Sequence, residues 1–85
     1  MKDSITGKNI VVEIDQEYGP YVQITDYEDY DYLEDELVEK YGVESMSVKP
    51  IESNGETIGH RIYFGKSANA EIIQKYVNEI EVKNS

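Results

Sequence analysis

The sequence predicts an α+β fold: a four-stranded antiparallel sheet with two helices on one face, in the order ββαββα. Three observations predict it. Apolar residues alternate at period two in four short runs, recur at helical spacing in two longer ones, and are punctuated by turn residues between runs. The two ββα units are of similar length and low residue identity. Neither has enough apolar surface to fold alone, so the expected solution is one shared sheet.

In the first hairpin Ile10, Val12 and Ile14 alternate with Val11, Glu13 and Asp15, EYGP supplies the turn, and Val22 and Ile24 alternate with Tyr21 and Gln23. A helix follows, because Tyr30, Leu33, Leu37, Val38 and Tyr41 form a stripe of helical period. Asp26 or Asp29 is its expected N-cap and Gly42 its closing residue. In the second hairpin Met46 and Val48 alternate with Ser45, Ser47 and Lys49, SNGE turns, and Ile58, Ile62 and Phe64 alternate with Thr57, Gly59, Arg61 and Tyr63. Ser67 or Asn69 then caps a helix whose buried stripe is Ile72, Ile73, Tyr76, Val77 and Ile80, with Glu71, Gln74, Lys75, Asn78 and Glu79 outside and fraying expected after Val82. The sheet face away from the helices is expected to stay open and to carry Val11, Glu13, Tyr21, Gln23, Ser47, Lys49, Arg61 and Tyr63.

With 85 residues and no Pro-, Gly- or Ser-rich linker, residues 1–85 read as a single small acidic domain. The chain has no cysteine, which excludes disulfides, thiolate catalysis and sulfur-ligated metals. The first ten residues carry Asp3 and no apolar core of a leader, and no apolar run approaches the roughly 20 residues of a membrane span. A cytoplasmic protein without membrane contact is the expectation.

No motif assigns catalysis. Gly65, Lys66 and Ser67 resemble the end of a phosphate-binding loop, but the first glycine of that pattern falls on His60, within a predicted strand. His60, the single histidine, shares the parity of Ile58 and Ile62 and has no nucleophile or carboxylate placed beside it by local pattern. Asp29 and Asp31 begin a calcium-loop spacing that runs into Leu33 without the required glycine. The expectation is therefore no enzyme, no catalytic residues, no cofactor and no dedicated metal ligands.

Charge is the outstanding feature. The formal net charge is −10, and between Glu13 and Glu44 there are twelve acidic residues against Lys40 alone. Such a field disfavours direct binding to nucleic acid and suits a basic protein partner. Asp31, Asp35 and Glu39 are four residues apart, one row about 6 Å per step along a helix, resembling a row of phosphates. Exposed tyrosines beside carboxylates suit a contact surface, since a partner's cation pairs with the acid and stacks on the ring. The predicted partner-binding set is Asp26, Tyr27, Glu28, Asp31, Tyr32, Asp35, Glu36 and Glu39. The leading expectation is a non-enzymatic acidic module that binds a basic protein as a nucleic-acid mimic, with a monomer favoured. Two alternatives stand beside it: a divalent-cation (calcium) binding domain, and a ligand or peptide binder using the sheet face around Tyr21, Arg61 and Tyr63.

Overall fold

The computed structural model describes residues 1–80. Its elements are β1 (Glu13–Asp15), β2 (Gly19–Ile24), α1 (Tyr27–Tyr41), β3 (Ser47–Ser53), β4 (Glu56–Tyr63) and α2 (Ala70–Glu79). The four strands form one antiparallel sheet in the order β1-β2-β4-β3, so the predicted α+β fold and its ββαββα order hold. The expectation about Val82 lies outside the described residues. Among those described, no helix is long and apolar enough to cross a membrane.

The sheet is joined at its centre by β2 and β4, where Val22 pairs with Ile62 and Ile24 with His60. Val22, Ile24 and Ile62 are completely buried, and from the helices Leu33, Leu37, Ile73 and Val77 close over them. Those four follow the i, i+4 spacing that puts two successive side chains on one helical face. The predicted stripes are broader than the real ones: Val38 and Ile72 lie at the margins of the helix–sheet contact and are exposed. Met46 and Ile58 are also exposed: Met46 precedes β3, and Ile58 is the extra residue on β4 where the pairing steps from Ile51–Gly59 to Glu52–Thr57.

Local chemistry sets the boundaries. Asp26 caps α1 by accepting the Asp29 N–H at 3.2 Å, and Gly42 ends it in the left-handed conformation. Asn69, not Ser67, caps α2, accepting from Ile72 N–H at 3.1 Å. Asn54 and Gly55 both have positive φ, 51° and 80°, which is the mirror-image turn that matches strand twist in a two-residue hairpin. Gly19 is required for space: a Cβ there would lie 2.7 Å from the Lys66 backbone.

The first strand departs from expectation. β1 spans only Glu13–Asp15, and Ile14 is exposed rather than buried. Ahead of it, the backbone of Ile10 and Val12 is paired by a side chain: Gln74 Oε1 accepts from Val12 N–H at 2.7 Å, and Gln74 Nε2 donates to the Ile10 carbonyl at 3.2 Å. Gln74, expected outside, is half-buried and stands where a neighbouring strand would. Ile10 is buried through this attachment to α2.

Two buried carboxylates fasten the residues before β1. Asp29 accepts from Ser4 N–H and Ser4 Oγ, each at 2.7 Å. Asp3 accepts from the N–H groups of Ile5, Thr6 and Thr25 at 2.8, 3.0 and 3.0 Å, closing its own turn and tying it to the end of β2. Burial opposes the charge on Asp3, but these N–H donors outweigh it and hold its pKa below the ordinary value.

Truncating Leu37 to alanine is expected to cost about 2–5 kcal/mol, read from denaturant unfolding, since the site is enclosed by sheet and second helix. Asp3 gives a pH signature. Its folded pKa is depressed, so its stabilisation is present above the unfolded value, about 3.9, and is lost as pH falls through the folded one. Asp3→Asn, which turns an amide donor toward backbone donors, is expected to lower stability at neutral pH by roughly 1–3 kcal/mol and to flatten its loss in acid. Parallel acid-unfolding curves for the two proteins would contradict this.

Candidate functional site

The carboxylates of α1 divide by what they touch. Asp26 is spent on the cap and Asp29 on Ser4. Glu36 is bonded to Lys40 at 2.8 Å, and this carboxylate pushes the Lys40 pKa up. The Tyr32 hydroxyl donates to Glu36 at 3.4 Å, while its ring is half-buried against the core. Glu34 lies beside the Tyr30 hydroxyl, whose pKa is raised first by burial and then by that carboxylate. Of the predicted set, then, Asp26, Tyr32 and Glu36 are engaged within the fold.

Glu28, Asp31, Asp35 and Glu39 remain. All four are exposed, and among the described residues none has a hydrogen-bond or ion-pair partner. Their spacing of three, four and four residues keeps them on one row of the helix, opposite Leu33 and Leu37. Beside this row Tyr27 is 62% exposed and Val38 is 40% exposed. Eleven residues, about three turns, separate these two, so they share a neighbouring row and give the acidic face an apolar border.

Tyr27 also belongs to an aromatic group that the sequence does not announce. His60 stacks on Tyr30 with ring centres 5.0 Å apart and an interplanar angle of 15°, and Tyr27 meets His60 edge-on at 5.8 Å. The parity of His60 places it on the helix side of the sheet, as expected, and the packing of α1 supplies the rings. Its Nδ1 is buried without a hydrogen-bond partner.

The opposite sheet face holds Tyr21, Arg61 and Tyr63, as expected, but in a different state. Tyr63 is only 5% exposed, so it is not an available contact residue. Tyr18 covers it edge-on at 5.3 Å and Tyr21 flanks it at 5.4 Å. Lys49 Nζ sits 4.0 Å from the centre of the Tyr18 ring, and the Arg61 guanidinium 5.0 Å from that of Tyr21. Arg61 also donates to Gln23 at 3.2 Å, and the Tyr21 hydroxyl to Glu13 at 3.2 Å. Tyr18 escapes period-two reasoning because it lies in the turn, where side-chain parity is lost; Asp15 holds it there by accepting the N–H groups of Glu17 and Tyr18. These two bonds, Tyr18's first, keep the Asp15 pKa below its ordinary value.

Neither remaining feature has converging ligands. Among the described residues no three histidine, aspartate or glutamate side chains come together to hold a metal ion. A depression of about 270 Å³ lies between residues 3–13 and the sheet, lined by Asp3, Thr6, Lys8, Glu13, Gln23 and Thr25 among others. Its carboxylate at Asp3 is already satisfied by backbone donors. Replacing Tyr18 with alanine is expected to cost roughly 0.5–1.5 kcal/mol beyond lost area and to open Tyr63 to solvent, seen as faster quenching of tyrosine fluorescence by acrylamide.

No family model, curated protein or solved structure matches this chain, so the site is read from its own chemistry.

Proposed function

We propose that the protein is a non-enzymatic binding module whose α1 surface docks on a basic protein, in the manner of a nucleic-acid strand. One observation carries this reading: Glu28, Asp31, Asp35 and Glu39 form an exposed row with no partner inside the described fold, while Asp26, Asp29 and Glu36 have structural roles. A row of like charge costs helix stability, roughly 0.2–0.5 kcal/mol per adjacent pair, and Lys40 is committed to Glu36. Glu39, near the negative end of the helix dipole, gains nothing from its position. A basic partner supplies the missing compensation, and one built to hold phosphates presents cations in a matching row.

The alternatives are less well supported. Calcium binding wants several oxygens around one point, whereas these carboxylates are spread along an axis. A ligand on the other sheet face meets rings already covered by Lys49, Arg61 and each other.

The test is charge reversal. Asp31→Lys, Asp35→Lys and Glu39→Lys together are expected to leave the circular dichroism spectrum and the cooperative unfolding transition intact. Partners captured from native cytosol at low salt are expected to bind the variant on the order of a hundredfold more weakly, since three surface pairs of about 0.2–1 kcal/mol each become repulsions. Wild-type affinity should fall steeply between low and physiological salt, where charges are screened over about 8–10 Å. Equal binding by the variant would reduce the acidic row to a solvated surface.

A further inference from the structure

The sheet has two edges, and β1 offers little to a further strand. It is three residues long, and the backbone ahead of it is occupied by Gln74. β3 is different: seven residues, Ser47–Ser53, paired on one side only among the described residues. Which backbone groups it turns outward follows from β4. Phe64 N–H donates to the Pro20 carbonyl at 3.0 Å, so the alternation of an antiparallel ladder turns Ile62 and His60 toward β2 as well. Gly59, Arg61 and Tyr63 then face β3, opposite Ile51, Lys49 and Ser47. The groups left on the open edge are those of Val48, Pro50 and Glu52.

Pro50 stands at the centre of that edge and has no N–H to give. The register irregularity between Ile51 and Glu52 places its extra residue, Ile58, on β4, so the alternation along β3 itself is unbroken. Side chains alone would permit the edge to pair with a second copy of itself. Centred on residue 50, antiparallel pairing sets Lys49 against Ile51 and Val48 against Glu52, with no like charges opposed. The backbone forbids it, because two proline rings would meet where two N–H donors are needed. We infer that Pro50 closes the β3 edge to a second copy of this chain.

The experiment is to restore the donor. Pro50→Val is expected to sediment as a concentration-dependent dimer in about 1 M salt, where screening acts over about 3 Å and the self-repulsion of a −10 chain is suppressed. Its mass doubles, and the amides of residues 48, 50 and 52 become protected from hydrogen exchange. Pro50→Ala, a weaker strand former with the same donor, is expected to dimerise more weakly. Lys49→Val, which raises strand propensity but keeps the proline, is expected to stay monomeric. Folded Pro50→Val and Pro50→Ala that remain monomeric, or Lys49→Val that dimerises equally, would overturn the inference. The wild-type protein gives an independent reading even where variants misfold. Its Val48 and Glu52 amides should exchange freely at high concentration, and protection of both would show the edge to be open to pairing after all.

Discussion

The antiparallel pairing of β2 with β4 is the constraint on which the rest of the structure depends. It joins the two ββα units: Val22 meets Ile62 across forty residues of chain, and both are completely buried. Closing a loop of that length carries an entropic cost that local hairpins do not, and apolar burial under two helices offsets it. Because the two hairpins meet through β2 and β4, β1 and β3 become the edges, and the helices that follow each hairpin fall on the same side. The exposed row of α1 then points away from the sheet as a consequence of Leu33 and Leu37 pointing toward it.

The elements and their order were legible in the sequence because they rest on periodicity and on turn and cap residues. Asp26, Gly42, Asn54–Gly55 and Asn69 act over three or four residues, so their roles need no knowledge of the fold. The misses share one cause, a partner distant in sequence. Ile10–Ile14 has the alternation of a strand, but Gln74 takes the backbone pairing of its first half and leaves Ile14 outside. Tyr63 has the parity of an open-face residue, yet Tyr18 covers it from a turn. The row Asp31, Asp35 and Glu39 was legible by spacing. That Asp26, Tyr32 and Glu36 are engaged elsewhere was not, because their partners emerge only with side-chain geometry.

The carboxylates also show that a high acidic content is not one feature. Asp3, Asp15, Asp26 and Asp29 each accept backbone N–H groups, where an ionised oxygen makes a stronger acceptor than a neutral one. In small folds with few large apolar side chains, such bonds fix turns and helix starts. These acids are placed where the chain reverses or a helix begins, and removing any of them leaves donors unsatisfied. Glu28, Asp31, Asp35 and Glu39 satisfy no donor within the described fold.

That division separates two effects that net charge merges. Neutralising the first group removes hydrogen bonds from the fold, so stability falls. Neutralising Asp31, Asp35 and Glu39 removes mutual repulsion, so stability is expected to hold or rise, because like charges one turn apart on a helix are unfavourable, whereas Glu28 in the first turn is favoured by the helix dipole. A surface row whose charge the fold does not use, on a helix where Asp26, Asp29 and Glu36 are engaged in it, is the feature on which the proposed docking surface rests. The apolar border of Tyr27 and Val38 bears on the proposed docking surface: cations alone are satisfied by water and salt, whereas a partner that also covered this exposed apolar area would gain affinity that salt does not screen.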